Sequence, residues 1–278
     1  MPRSKDANEA WLSYDSVAEL YERTAVPWFT PLARDLVAAL GITPGMRVLD
    51  IGTGTGLTAE LGAAHTGPVG SVIGIDPSTS MLSLARARRG VTAVRATVPY
   101  LPFPDGSFDA VLANLVLSHL PDLDRGLADV RRVLRRGGRL GATAWGPAFS
   151  ADDDQGDEAD RIVASVRDAC GLTSEAPVQG APWEELLRSK AQMSRVLSSA
   201  GFGGFEPRLI DYRATFSVED YVVGWGGLGR YLRWHAGAER WHDYTDRAAA
   251  ALRARFGPSF VVVKQMWVVT ATRLEGRE

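Results

Sequence analysis

Between Arg47 and Leu61 the chain reads RVLDIGTGTGLTAEL. A short run of buried-strand character enters a turn with three glycines and leaves it as a helix. The unit then repeats. SVIGID reads as a second strand with the helix STSMLSLARARR behind it, and VTAVRAT as a third, short strand. After the loop PYLPFPDGSFD come a fourth strand, AVLANL, and the helix LDRGLADVRRVL. A turn at Arg136-Gly137-Gly138 leads into a fifth strand, RLGATAW. Short apolar runs alternating with amphipathic helices dictate a parallel sheet with helices on both faces. Right-handed crossovers are the default for such units.

The flanks are different. Two helical patterns, WLSYDSVAELYERTA and TPLARDLVAAL, are split at Val26-Pro27, and Gly41-Ile42-Thr43-Pro44-Gly45 ends the second. Beyond Trp145 an acidic, loop-like stretch precedes the helix DRIVASVRDACGL. WEELLRSKAQMSRVLSSAG reads as one helix, FEPRLIDYRATF as a strand, residues 218–257 as two helices and FVVVKQMWVVTATR as a last long strand. The two late strands are expected to form an antiparallel edge. The helical excursion between them is expected to lie above the C-terminal ends of the parallel strands, where open α/β sheets bind ligands. Gly224-Trp225-Gly226-Gly227-Leu228-Gly229 interrupts the excursion as a break or a hinge, because glycine is a poor helix residue.

Composition narrows the function. With 31 basic and 33 acidic residues the net charge is −2, which argues against a dedicated nucleic-acid binder. The single cysteine, Cys170, cannot form an internal disulfide and reads as a packing residue in a reducing compartment. The first residues carry no signal-peptide core, and no run of eighteen apolar residues exists, so a cytoplasmic protein without a membrane span is expected. No histidine–carboxylate cluster has metal-ligand spacing, and no Ser-His-Asp arrangement is evident.

The glycine turn discriminates between cofactors. A nicotinamide fingerprint needs G-x-G-x-x-G, but Leu57 stands where its third glycine belongs. The spacing G-x-G-x-G, with Asp50 two residues before Gly52, instead resembles class I S-adenosylmethionine-dependent methyltransferases. GIDPS, LPFPDGSFDAVLANLVLSHLPD and RRVLRRGGRLGATAW extend the likeness over residues 46–145. They resemble the small-molecule group related to the ubiquinone/menaquinone C-methylating enzymes.

That resemblance implies a Rossmann-like fold whose mainly parallel sheet has seven strands, in a single domain. Residues 1–40 would form a helical lid and 41–147 the cofactor core. Residues 148–214 would hold helices and a late strand, 215–258 a helical cap, and 259–278 the last strand and tail. It implies a cofactor site drawn from Tyr14, Tyr21, Asp50, Gly52, Thr53, Gly54, Gly56, Asp76, Pro77, Met81, Thr97, Val98, Asn114 and Leu115. Asp76, ending the second strand, would accept both ribose hydroxyls, since a carboxylate suits a vicinal diol. Asp50 is either a contact for the methionine amine or a structural acceptor. Thr97 stands where the family often has an acid for adenine, leaving the backbone of Val98 for that task. Ser118-His119 replaces a histidine pair, and His119 opens the next helix as a candidate base, with Tyr14, His235 and His242 as others.

For the acceptor, Trp28 and the excursion's Tyr221, Trp225, Tyr231 and Trp234 are the candidates. On a continuous helix Tyr221, Trp225 and Leu228 share one face, as do Tyr231 and Trp234. Such rings suit a small apolar or aromatic acceptor methylated at O or C. The rival readings are a non-transfer reaction such as cyclisation with the cofactor retained, a non-catalytic cofactor binder and, last, a nicotinamide enzyme.

Overall fold

The computed structural model describes residues 13–147, 154–172, 181–224 and 226–275. These form two compact units. The sheet unit comprises the described residues within Trp28–Ala148, Ala181–Tyr212 and Gln265–Glu278, and the second unit those within Met1–Pro27, Phe149–Gly180 and Arg213–Lys264.

The sheet has seven strands: β1 (Arg47–Ile51), β2 (Ser71–Asp76), β3 (Val91–Arg95), β4 (Phe108–Ala113), β5 (Leu134–Trp145), β6 (Phe202–Ser217) and β7 (Ser259–Arg273), in the order β3-β2-β1-β4-β5-β7-β6. Pairs β1–β2, β1–β4, β2–β3 and β4–β5 are parallel, and β7 runs antiparallel to β5. The expected α/β sheet with an antiparallel edge is therefore present.

Its helices are α2 (Val26–Leu40, after the short α1, Ala18–Thr24), α3 (Leu57–Thr66), α4 (Thr79–Ala85) and α5 (Leu123–Val133). The last shows why such segments are helical. Asp122 caps α5 by accepting the Arg125 N–H at 3.0 Å. Leu123, Leu127, Val130 and Val133 then recur at helical spacing and are all buried, joining Leu49, Ile51, Val111 and Leu140 in the core.

Four expectations about elements are corrected. The turn at Arg136-Gly137-Gly138 lies inside β5. Phe108 pairs with Leu134 but Ala110 with Arg139, so residues 135–138 bulge out of register around Gly137, at φ +69°. The segment expected as one helix is two, α7 (Glu184–Arg188) and α8 (Lys190–Ser199), because Ser189 leaves helical geometry to cap α8. The excursion holds three helices rather than two, α9 (Val218–Val223), α10 (Gly227–Ala236) and α11 (Ala238–Phe256), the expected interruption after Val223 dividing the first. Gly224 at φ +56° and Gly237 at φ +76° are the breaks. Finally, α4 stops at Ala85 instead of running through the following arginines.

In the second unit α6 (Asp154–Ala169), α9 and α10 each pack on α11. No helix among the described residues is long and apolar enough to cross a membrane.

Candidate active site

The sheet order fixes where a ligand can enter. From β1 the chain crosses to β2 on one side and later returns to β4 on the other. Connections therefore diverge at the C-terminal ends of β1 and β4, opening a crevice there. The glycine turn, residues 52–56, and the segment after β4 are its two walls.

The turn is held from below. Thr53 donates its amide to Ile75 O at 2.8 Å and its hydroxyl to Asp50 Oδ2 at 2.6 Å. Gly74 makes room for it, since a Cβ there would lie 2.6 Å from Thr53 Oγ1. Asp76 Oδ2 accepts the Gly54 N–H at 3.0 Å and Oδ1 the Ser78 N–H at 2.9 Å. Ser78 is the cap of α4, its hydroxyl accepting the amide of buried Met81 at 3.1 Å. Pro77 O receives Arg95 Nε at 3.1 Å. Gly52, Gly54 and Gly56 all have positive φ. A Cβ on Gly52 would meet Val116 Cγ2 at 2.2 Å, so the walls close there, whereas one on Gly54 would meet nothing within 4 Å.

Asp50 is 1% exposed. Its Oδ1 is sealed from solvent and accepts no hydrogen bond among the described residues. Burial pushes its carboxyl up to about 7; the Thr53 hydroxyl and the Ala59 amide oppose the rise, and the nearby Asp76 charge adds to it. A buried oxygen with no donor is costly unless a ligand brings one.

The opposite wall has a polar hinge that sequence reasoning missed. Thr143 on β5, 2% exposed, donates to Asn114 Oδ1 at 2.7 Å and accepts the Leu115 N–H at 2.8 Å. Asn114 Nδ2 donates to Thr58 Oγ1 at 3.2 Å, tying this wall to α3. Leu115 is thereby held at φ +55°, a conformation costing a non-glycine residue roughly 1–2 kcal/mol. A threonine inside the otherwise apolar GATAW run was the available signal. Val98 is buried and Thr97 donates weakly to its carbonyl at 3.5 Å.

His119 closes a 3-10 turn, Leu117–His119, instead of opening a helix, and its side chain is exposed. Trp183 clasps that turn, donating its amide to Ser118 O at 3.3 Å and its indole N–H to Leu120 O at 2.7 Å. Trp28 stacks on Phe29 at 4.8 Å and lies 5.6 Å from Trp145, which ends β5.

The remaining candidates belong to the second unit. Tyr14 meets Tyr21 edge-on at 6.2 Å, and the guanidinium of buried Arg230 lies 4.0 Å over its ring. Tyr221 packs on Phe216 and Phe260 and donates its hydroxyl to Asp160 at 2.5 Å. Tyr231 stacks on His235 at 4.1 Å, and Trp234 is 49% exposed. The shared face of Tyr221, Trp225 and Leu228 does not form, because Gly224 separates α9 from α10; Trp225 itself lies outside the described residues. His242 is exposed, and Cys170, just beyond α6, is half-buried with its thiol 3.7 Å from Asp243. Among the described residues no three His, Cys, Asp or Glu side chains are grouped to hold a metal.

Comparison with known proteins shows what this segment is similar to. Residues 49–142 match the family described as "Methyltransferase domain". Nocamycin O-methyltransferase of Saccharothrix syringae is 37% identical over 136 residues, 47% of this chain and 49% of that protein. Demethylmenaquinone methyltransferase of Tropheryma whipplei (strain Twist) is 42% identical over 135 residues, 46% and 55% of the two chains. The chain thus spans about half the length of these curated relatives. Among solved structures the [4+2]-cyclase SpnF superposes with a TM-score of 0.54 at 22% identity, covering 97% of each chain, a likeness of fold. The matched segment contains both walls of the crevice, and over it the chain is similar to methyltransferases.

Proposed function

We propose that the protein transfers a methyl group from S-adenosylmethionine to a small apolar or aromatic acceptor, at oxygen or carbon. The observation that carries this reading is the pairing of open space at Gly54 with a sealed Asp50 Oδ1 that accepts no hydrogen bond among the described residues. Both lie in the segment that matches the methyltransferase-domain family. Asp50 Oδ1 suits an ammonium group, and Asp76 suits a ribose diol because a carboxylate offers an acceptor oxygen to each hydroxyl. The backbone at Gly54 lets the ligand lie against the main chain. The cofactor supplies a methyl group on a sulfonium, already activated for in-line displacement. The chain's task is to align an acceptor atom with it and to exclude water.

Trp28, Phe29 and Trp145 form an aromatic cluster within the sheet unit at the end of β5. Such a cluster favours an apolar or aromatic acceptor. The names of the two relatives also point toward small organic acceptors.

Calorimetric titration with S-adenosylmethionine, S-adenosylhomocysteine and NAD tests the cofactor. Both sulfur compounds are expected to bind and NAD is not; the reverse result sinks the proposal. Product mass tests the reaction: transfer adds one methyl and releases S-adenosylhomocysteine, whereas a rearrangement or cyclisation changes neither.

The two glycines give a sharper comparison. Gly54→Ala is expected to cost only the left-handed backbone, about 1–2 kcal/mol, a fall of a few degrees in Tm. Its affinity for S-adenosylhomocysteine is expected to fall at least about tenfold, since the new methyl takes space left open for ligand. Gly52→Ala meets Val116 and is expected to lose stability heavily before any ligand is added. Wild-type affinity in Gly54→Ala means that the cofactor does not approach there.

A further inference from the structure

Arg233 on α10 has no counter-charge among the described residues. One of its N–H groups donates to Val223 O at 3.2 Å, and its guanidinium lies 5.3 Å over the ring of Trp241. Its Nε is sealed from solvent and has no acceptor among the described residues. No carboxylate among them pairs with it either; the charge it feels is another cation, Arg23. Burial and that like charge pull the guanidinium below the usual arginine range. Arg23 is itself only loosely engaged, 3.6 Å from Asp220 and largely exposed. One turn earlier on the same helix, buried Arg230 covers the face of Tyr14.

A purely structural arginine would be expected to have its fork filled, because a desolvated guanidinium has five donors and no way to lose its charge. In the half-buried Arg233 one donor is bonded, Nε is sealed without an acceptor among the described residues, and the charge of Arg23 bears on the group. An incoming anion would satisfy the open donors and relieve the repulsion at once. The planar fork matches a carboxylate, and Trp241 and Tyr14 beside the cations give an organic body something to pack against.

We propose that Arg233, with the charge of Arg23 beside it, forms a binding site for a small organic carboxylate in the second unit. The site does not depend on the methyl-transfer reading.

Sodium benzoate is the probe, titrated into the full chain by calorimetry at fixed ionic strength, with benzamide as its uncharged counterpart and inorganic phosphate as a bare anion. Benzoate is expected to bind in the roughly millimolar range of so small a ligand, at least about tenfold more tightly than benzamide. Arg233→Met is expected to abolish that binding and Arg233→Lys to retain it in weakened form. Benzoate is expected to raise the Tm of the wild type and leave that of Arg233→Met unmoved. Ligand-free Arg233→Met, having lost an uncompensated cation, is expected to melt no lower than the wild type. Equal benzoate responses in wild type and Arg233→Met, or no benzoate binding, would overturn the proposal. So would binding of phosphate alone, or a large loss of stability in Arg233→Met and Arg233→Lys alike.

Discussion

Between pH 5 and pH 8 the ligand-free protein is expected to lose about 3 kcal/mol of stability through Asp50 alone. The sign follows from the direction of its shift. A carboxyl raised to about 7 in the folded state still holds its proton at pH 5 and 6, where the unfolded chain has released it. The folded state then binds more protons, and its stability falls as the pH rises until Asp50 ionises near 7. Above that the loss is complete and the curve flattens. The groups with depressed values, Asp109 and Glu219, act below this window, their contributions disappearing only as the solution becomes more acid.

Asp50→Asn isolates the effect. The amide keeps an acceptor for the Thr53 hydroxyl and cannot ionise, so the variant is expected to match the wild type near pH 5 and exceed it by about 3 kcal/mol at pH 8. Urea unfolding at the two pH values measures the difference. Parallel pH curves for the two proteins would mean that Asp50 is not a buried, poorly solvated acid. On the proposed role, a cationic cofactor reverses the preference by favouring the ionised form. Affinity for S-adenosylmethionine is then expected to rise with pH up to about 7 in the wild type, and to lose that dependence in Asp50→Asn.

These properties were unequally legible in the sequence. RVLDI and SVIGID correspond residue for residue to β1 and β2, because a strand buried in a parallel sheet reads as a short apolar run bounded by turn residues. The excursion was less readable. Helical phase can be drawn through any residues, and Tyr221, Trp225 and Leu228 line up only if the backbone stays helical across Gly224. The Thr143–Asn114 bond was out of reach for another reason. It requires Ala113 to pair with Ala142, a register reached only because residues 135–138 bulge from β5. Periodicity counts residues along one strand and cannot count those its neighbour extrudes. The sequence singles out nothing at Arg233, whose lack of a carboxylate partner among the described residues is a property of the packed structure alone.

Replacing Asp76 by Asn is expected to weaken S-adenosylhomocysteine binding about 100-fold. The carboxylate holds the Gly54 and Ser78 amides, one on each oxygen, so two roles overlap in one side chain: shaping the turn and, as proposed, accepting the ribose hydroxyls. Hydrogen bonds to a charged group contribute roughly 1.5–3 kcal/mol each, and weakening the pair by about 3 kcal/mol in all gives about two orders of magnitude in Kd. Asp76→Ala also strands two amides near the crevice floor and is expected to unfold more readily, by about 2–4 kcal/mol; Asn, which keeps one acceptor, is the better probe. A weaker Kd alone does not separate direct contact from a distorted turn, but a second ligand does. The wild type is expected to bind the 2′-deoxy analogue of S-adenosylhomocysteine at least about tenfold less tightly than the parent. In Asp76→Asn that gap is expected to close, since the hydroxyl has already lost its charged acceptor. A gap of the same size in both proteins would leave Asp76 as the residue that holds Gly54 in place, and the ribose would have to be read elsewhere in the crevice.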